Sequence, residues 1–247
     1  LAARAAFPAG KGGQQALPAG WAGWKVRLLK GVAHLPWVRQ RFARAWVFSD
    51  RAENADDNAE HLYRWVRTHH PEINAWFLLN RDSRDWARLN AEGFRLVAPG
   101  LARKLLILNS EHIVSSHTND AFGGFDKRFY GDAMRWRFMF LQHGVIKDDL
   151  SHWLGPLECD GFITSSPAEH ASIVGDDTPY AYTDREVRRT GLPRHDRLLQ
   201  RARQMPPLAE RTLLVMPTLR GSLVDARMKS QGRSARIAAF AASEYAQ

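Results

Sequence analysis

The chain has 247 residues, of which 45% are hydrophobic and 25% are charged, and it contains one cysteine. This composition is typical of a globular protein and excludes disordered, collagen-like and coiled-coil classes. A single cysteine, Cys159, cannot form an internal disulfide, and the sequence does not open with a charged segment followed by an apolar one, as a signal peptide would. We therefore expect a cytoplasmic location. The sequence contains no run of about 18 apolar residues, so no membrane-spanning helix is predicted.

The net charge of +9 is concentrated at the two ends of the sequence. Residues 1–51 hold nine Lys or Arg side chains against one acid, and residues 226–247 hold four against one. Residues 52–225 therefore carry two more acidic than basic side chains. A near-neutral central part disfavours a face that reads DNA or RNA, so we predict no nucleic-acid partner.

Residues 1–20 are rich in Ala, Gly and Pro and lack apolar periodicity, which predicts a linker or tail. Residues 21–44 interleave Trp, Leu and Val with Lys and Arg, and Pro36 is expected to divide this basic amphipathic segment into two short helices. Such a segment fits either an anionic membrane surface, on the inner face of the cell membrane, or packing on its own domain. Both interpretations stay open.

From residue 45 onwards, short apolar runs alternate with segments of helical periodicity. The predicted strands are 45–49, 74–79, 94–98, 113–116, 138–142 and 161–164, and an extended run covers 186–190. The predicted helices are 56–68, with Asp56 or Asp57 as its cap, and 83–92, capped by Ser83. Strands separated by helix-length segments predict an α/β fold over residues 45–205, with a doubly wound parallel sheet.

A second unit is predicted to begin after a linker at residues 204–207. Residues 212–216 have the pattern of a strand, and residues 230–247 have that of a helix. Only about 36 residues follow position 211, which is too few for an independent core. We therefore expect residues 212–247 to be the start of a second, truncated domain.

Several well-known catalytic and binding motifs are absent from the sequence. It contains no G-x-G-x-x-G, P-loop, G-x-S-x-G, H-E-x-x-H or D-x-D pattern, so dinucleotide enzymes, P-loop NTPases, serine hydrolases and zincins are not supported. His69 and His70 are adjacent, and His112 and His117 are five residues apart, so neither pair shares a helical face. We predict no metal site and no cofactor, although a role for Mg²⁺ stays open.

The segment 140–151 carries the best candidate catalytic residue. His143 follows an apolar run, and Gly144 is expected to relieve crowding where the chain turns, which would project the imidazole from the end of a strand. Open α/β sheets bind ligands at these strand ends, and an imidazole can take a proton from an alcohol. Lys147 and a helix beginning near 148–151 would attract an anion. The alternative is a histidine with only structural hydrogen bonds.

Two further segments also place polar residues directly after a predicted strand or extended run. Residues 191–196 follow the extended run at 186–190 and contain Arg194 and His195, for which the alternative is a solvated loop. Residues 216–220 place Thr218 and Arg220 after the strand of the second unit. The guanidinium of Arg220 suits a phosphate, and its alternative is a surface salt bridge.

Taken in order, these segments resemble the CDP-glycerol:poly(glycerophosphate) glycerophosphotransferases, which include teichoic-acid-type polymerases and primases. The resemblance covers about residues 44–247. The segments that carry it are 46–51 with 55–63, 141–145 with 147–151, 160–166, 190–196 and 216–220.

The resemblance implies a GT-B fold, in which two Rossmann-like domains face a cleft. It implies transfer of glycerol phosphate, or a related polyol phosphate, from a CDP-activated donor such as CDP-glycerol to a polymer or lipid-linked acceptor, with release of CMP. His143 corresponds to the base of this family.

Within this resemblance, Thr218 and Arg220 would lie on the donor side. Gly144, Lys147, Arg194 and His195, identified above from the residues themselves, are the other candidates for substrate binding. The rest of the donor site would follow Gln247, so we expect these 247 residues alone to be inactive. The alternatives are a GT-B enzyme that uses another nucleotide sugar and a non-catalytic, membrane-associated module.

Overall fold

The structure is a computed structural model that describes residues 19–118, 125, 130–131, 133–204, 237–238 and 241–242. The chain divides into two compact units, Leu1–Arg203 and Gln204–Gln247. All strands and helices described below belong to the first unit. Thr218, Arg220 and the predicted strand at 212–216 lie outside the described residues, as do residues 1–18.

The described part of the first unit contains one parallel sheet of seven strands. The strands are β1 (Ala45–Ser49), β2 (Ala75–Leu78), β3 (Leu96–Val97), β4 (Ser110–Ser115), β5 (Arg137–Phe140), β6 (Gly161–Thr164) and β7 (Val187–Arg189). Their order across the sheet is β3-β2-β1-β4-β5-β6-β7. The chain builds outwards from β1 to β3 and then returns to β4 on the other side of β1, which creates a switch point between β1 and β4. This confirms the predicted Rossmann-like sheet.

Eight helices are described in the first unit. They are α1 (Ala19–Ala33), α2 (Pro36–Arg41), α3 (Asn58–His69), α4 (Trp86–Ala91), α5 (Leu101–Asn109), α6 (Ser151–Leu154), α7 (Pro167–Val174) and α8 (Pro193–Arg203). Successive side chains of a strand point to opposite faces. Val47 of β1 accordingly packs in one apolar cluster with Leu106 of α5, and Phe48 packs in the other with Tyr63 of α3. Helices therefore cover both faces of the sheet.

The strand bounds agree with the predicted ones at β1 and β6 and differ elsewhere. β4 begins three residues before the predicted position, at Ser110, and β5 ends at Phe140 rather than at residue 142. The early end of β5 has a local cause, because Gln142 has a φ of 58° and turns the chain out of the strand.

The predicted cap of the second helix was wrong. α4 begins at Trp86 rather than at Ser83, because the Trp86 N–H donates to the Ser83 carbonyl in a turn that precedes the helix. The first helix agrees better with its prediction. The Asp57 side chain accepts a hydrogen bond from the Asn58 N–H at the start of α3.

Residues 19–41 form two helices that Pro36 separates, as predicted. The first begins at Ala19, so the helical part starts two residues before the predicted amphipathic segment. One face packs on the domain core through Val26 and Leu29, whereas Trp24, Leu28 and Trp37 are 53%, 58% and 61% exposed. In the described part of the chain, no helix is long and apolar enough to cross a membrane.

Candidate active site

Three neighbouring strands end in polar residues at the same edge of the sheet, which we call the carboxyl edge. Asp50 follows β1, Ser116 and His117 follow β4, and His143 lies three residues beyond the end of β5. Because β1, β4 and β5 are adjacent and parallel, these residues are brought together. His143 therefore lies at the carboxyl end of a central strand, where the sequence predicts it.

The imidazole of His143 stacks on the imidazole of His117. The ring centroids are 4.6 Å apart and the ring planes are inclined by 18°. His117 Nε2 accepts a hydrogen bond from Arg51 Nε at 3.2 Å and lies 3.6 Å from Asp57 Oδ2. Arg51 and Asp57 therefore both approach the same nitrogen of the His117 ring.

The surroundings of His143 favour its neutral form. Burial lowers its pKa, and the neighbouring His117 and Arg51 act in the same direction, whereas Asp57 and a hydrogen bond with the Ser116 backbone act against them. The residue remains exposed on its outer side. A neutral, accessible imidazole at neutral pH can accept a proton from a substrate hydroxyl.

Asp57 lies between Arg194 and His117 at the start of α3. Its Oδ1 accepts a hydrogen bond from Arg194 Nη1 at 3.0 Å. Burial acts to raise the pKa of Asp57, but hydrogen bonds with His117 and the Asn58 N–H, together with the charge of Arg194, outweigh burial and lower it. Asp57 is thus a carboxylate that can stabilise positive charge on the stacked imidazoles.

Asp50 is only 2% exposed and ties the first turn of α3 to the ends of β1 and β4. It accepts hydrogen bonds from Ser116 Oγ at 2.5 Å and from the N–H groups of Asp57, Ala59 and Glu60 at 3.1, 2.9 and 3.2 Å. Burial raises the pKa of Asp50 to about 6, although the hydrogen bonds from Ser116, Asp57 and Ala59 act to lower it. Its burial makes Asp50 part of the support of the site.

The backbone that leads to His143 is strained. Gln142 has a φ of 58°, in the left-handed region, which costs a residue other than glycine about 1–3 kcal/mol. The Asn58 side chain donates to the Gln142 carbonyl at 2.7 Å, and the Gln142 side chain accepts the His143 N–H at 3.0 Å. These contacts hold the turn.

The predicted role of Gly144 in relieving crowding is wrong. The residue with positive φ is Gln142, and a Cβ on Gly144 would meet no atom within 4 Å. The space at Gly144 is open, which leaves room for a ligand beside His143.

The other predicted site residues differ in their distance from the stacked imidazoles. Arg194 joins the site through Asp57, but it lies with His195 in the first turn of α8 rather than in a loop. His195 is exposed. Lys147 is 85% exposed at its side chain and pairs with Asp148 at 3.1 Å, and the nearby helix α6 has only four residues.

Most of the residues that surround His143 were not predicted from the sequence. Site residues were predicted only after the runs 138–142, 186–190 and 212–216. The same argument at 45–49 and 113–116 identifies Asp50 and His117, which follow these runs closely. Asp57 was interpreted only as a helix cap, and nothing in the local sequence indicated Asn58.

Metal-ligating groups or a cavity could also indicate a different site in the part of the chain that the structure describes. No group of three or more His, Cys, Asp or Glu side chains among these residues could hold a metal ion. A cavity of about 300 Å³ is lined by Arg44, Asn74 and Glu111, among others. These residues lie at the opposite edge, where the strands begin, which we call the amino edge. Parallel α/β sheets bind ligands at the carboxyl edge.

The sequence is similar to a known protein family and to a known bacterial protein. The sequence model described as CDP-Glycerol:Poly(glycerophosphate) glycerophosphotransferase matches residues 33–244. The chain is 30% identical over 206 residues to the minor teichoic acid biosynthesis protein GgaB of Bacillus subtilis (strain 168), over 81% of this chain and 22% of that protein. It thus spans less than a quarter of that relative's length, and no solved structure matches it. Because the family match extends over most of the sequence and includes the whole carboxyl-edge site, the chain belongs to the CDP-glycerol:poly(glycerophosphate) glycerophosphotransferase family.

Proposed function

We propose that this chain provides the acceptor side of an enzyme that transfers glycerol phosphate, or a related polyol phosphate, from a CDP-activated donor to a growing polymer and releases CMP. The observation that carries the proposal is the His143 imidazole at the end of β5, stacked on His117 beside Asp57, in a chain of this family. The similarity to GgaB supports a teichoic-acid-like polymer as the product.

In the proposed reaction, His143 accepts the proton of the acceptor's terminal hydroxyl. The acceptor oxygen then forms a bond to the donor phosphorus that carries the polyol. The bond from this phosphorus to CMP breaks, and CMP leaves with the electron pair. Such a transfer depends mainly on positioning and on electrostatic stabilisation.

The residues around His143 would support this step by their charge. Asp57 stabilises the proton that arrives on the stacked imidazoles, which lie beside it. Arg51 and Arg194 are positive groups near the place where phosphate must approach, and Lys147 lies further out on the same loop as His143. The proposal uses no cofactor, and Mg²⁺ bound to the diphosphate would add charge neutralisation there.

We place the donor in a second Rossmann-like domain of a GT-B fold, beginning in residues 212–247. Thr218 and Arg220 would contact the diphosphate there. Experiments on activity therefore need the full-length protein.

The donor is tested by thermal unfolding and by product release. CDP should raise the unfolding temperature of the full-length protein more than UDP does, because a bound ligand stabilises the native state. CMP should appear when a CDP-polyol and a soluble polyol phosphate acceptor are both present. Stabilisation by UDP alone would instead favour the alternative, a GT-B enzyme that uses another nucleotide sugar.

The role of His143 is tested by His143→Ala in the full-length protein. Removal of a general base should lower turnover by about 10² to 10⁴-fold. The unfolding temperature and the stabilisation by CDP should stay close to those of the unsubstituted protein. Arg220→Ala should instead weaken the stabilisation by CDP. Near-normal turnover of His143→Ala at saturating substrate would remove His143 as the base.

We also propose that the exposed face of α1 and α2 binds an anionic membrane surface near a lipid-linked acceptor, on the inner face of the cell membrane. Trp24, Leu28 and Trp37 provide exposed apolar side chains beside basic ones. Each Lys or Arg close to such a surface contributes about 1 kcal/mol. The basic residues are Lys25, Arg27, Lys30, Arg39 and Arg41.

Sedimentation with vesicles that contain phosphatidylglycerol tests this surface. Replacing the five basic residues with Gln should abolish binding, and Trp24→Ser with Trp37→Ser should weaken it. Vesicles of phosphatidylcholine alone should bind poorly. Equal binding by the Gln variant would contradict the proposal. A protein that binds vesicles but never transfers a polyol phosphate would be the non-catalytic alternative.

A further inference from the structure

The backbone around His143 is held at two points by buried side chains from other elements. Asn58 is fully buried, and its Nδ2 donates to the carbonyls of Leu141 and Gln142 at 3.4 and 2.7 Å. Glu169 is 4% exposed, and its Oε1 accepts the Ile146 N–H at 2.8 Å. We propose that Asn58 and Glu169 are positioning residues that clamp residues 141–146 and fix where the His143 imidazole stands. This inference rests on the proposed function of His143.

The contacts of Asn58 use both ends of its carboxamide. The Nδ2 group reaches residues 83 and 84 positions away in the sequence, and Oδ1 accepts the N–H of Arg194, 136 positions away. Alanine, leucine and serine cannot make this combination of contacts, because only a carboxamide offers two donors and an acceptor on one planar group. Asn58 thus joins the starts of α3 and α8 to the turn at Gln142.

Glu169 binds groups at the start of its own helix and also a backbone group in the loop of His143. Its Oε2 accepts hydrogen bonds from the N–H and Oγ of Ser165 at 2.7 and 2.8 Å, which satisfies groups at the start of α7. Its Oε1 leaves that helix and holds Ile146, 23 positions away. The second oxygen therefore serves the loop of His143 rather than the helix.

Between the two clamped points, the His143 ring contacts His117 and the Ser116 backbone, and the His143 N–H donates to Gln142 Oε1. Val145 is exposed, and the space beside Gly144 is open. The His143 ring lies against His117, but its backbone depends on the hydrogen bonds at Gln142 and Ile146. A displacement of about 1 Å at a reacting group can lower a rate by about 100-fold.

Turnover of four variants of the full-length protein tests the clamp. Asn58→Ala and Glu169→Ala should each lower kcat by about 10 to 100-fold and leave the KM for the donor unchanged. Glu169→Gln keeps an oxygen for the Ile146 N–H and should retain kcat within about threefold. The control is Asn74→Ala.

Asn74 is a matched control because it makes similar contacts at the amino edge. Its Nδ2 donates to the carbonyls of Arg41 and Ala43 at 3.1 and 3.0 Å, and its Oδ1 accepts from Trp76 Nε1 at 2.9 Å. Asn74→Ala should lower the unfolding temperature, as Asn58→Ala does, but should leave the kcat of the folded protein unchanged.

A measurement without substrate separates the clamp from the proposed function. In protein labelled with ¹³C-histidine, the imidazole resonance and titration midpoint of His143 should shift in Asn58→Ala and Glu169→Ala but not in Asn74→Ala. Unchanged resonances and an unchanged kcat in both clamp variants would overturn the inference. If Asn58→Ala does not fold, the comparison of Glu169→Ala with Glu169→Gln decides. If His143→Ala retains normal turnover, His143 is not the base, and the proposed function fails. The His143 resonances of the Asn58→Ala and Glu169→Ala variants still show whether these two side chains fix the position of the imidazole.

Discussion

The two edges of the sheet carry similar polar residues but bury them to different depths. At the carboxyl edge, Asp50 and Asn58 are almost completely removed from solvent and hold backbone groups of other elements. At the amino edge, Glu111 forms a partly exposed pair with Arg44 at 2.8 Å, and Asn74 is only half-buried. The contacts have the same chemistry, but only those at the carboxyl edge surround the candidate site.

This difference indicates what each edge requires. A buried polar group is costly unless its hydrogen bonds are made, so a cluster of such groups must be rigid to be tolerated. The carboxyl edge holds a strained turn at Gln142 and two stacked imidazoles in place. The amino edge only closes the beginnings of strands, for which exposed pairs are sufficient.

The largest difference should appear when an acid is removed from each edge. Asp50→Ala removes the side-chain acceptor of the Asp57 and Glu60 N–H groups and should lower the free energy of unfolding at pH 7 by about 3 kcal/mol. Glu111→Ala breaks a solvated pair and should leave the unfolding midpoint unchanged. Urea unfolding of the two variants measures both values, and equal losses would contradict the contrast between the edges.

A smaller effect should follow from Glu60→Gln, which weakens α3 without touching His143. Glu60 Oε1 accepts from Arg64 and Arg88, each at 2.7 Å. Burial acts to raise the pKa of Glu60, but the hydrogen bonds and charges of Arg88 and Arg64 outweigh it and lower the pKa to about 2. The substitution should cost about 2 kcal/mol at pH 7 and should not change kcat.

The effect of Glu60→Gln should depend on pH in a defined direction. Because the native pKa lies below the ordinary value of 4.5, the carboxylate contributes stability above about pH 4.5 that is lost as the pH falls towards 2. The two proteins should therefore approach equal stability between pH 4.5 and pH 2. A constant difference over this range would show that the ion pairs are not responsible, and a fall in kcat would show that any weakening of α3 disturbs the site.

The smallest effect should come from replacing the histidines near each end of β4. His117→Phe keeps a flat ring against His143 but removes a group that lowers the His143 pKa, so the acidic limb of the kcat profile should move to higher pH. At pH 8, kcat should stay within about threefold of the unsubstituted value, since neutral His143 predominates.

His112→Phe provides the control at the amino edge. Its ring packs against Trp46, with centroids 4.6 Å apart, and does not contact His143. The pH profile should therefore not move. A profile that shifts equally in both variants would mean that the stacked pair has no special influence on His143.

Much of the fold was predictable from the sequence because runs of apolar residues indicate which segments are buried. β1 and β6 were predicted without error, and His143 lies after β5 as expected. The bounds failed where a neighbouring contact decided them, as at Ser83, whose carbonyl closes a turn before α4. Gly144 was expected to relieve crowding where the chain turns, yet the residue with positive φ is Gln142, whose conformation is held by hydrogen bonds.

The sequence by itself determined the class of the fold, the family and the position of His143 after a strand, because each depends on residues that are close in the chain. Only the tertiary structure decided what surrounds His143. Arg51 and His117 are 66 positions apart and meet because β1 lies next to β4. Strand order depends on how helices pack across the sheet over long separations, and local periodicity does not encode it. For this reason Asn58, which joins three distant segments, was visible only in the folded chain.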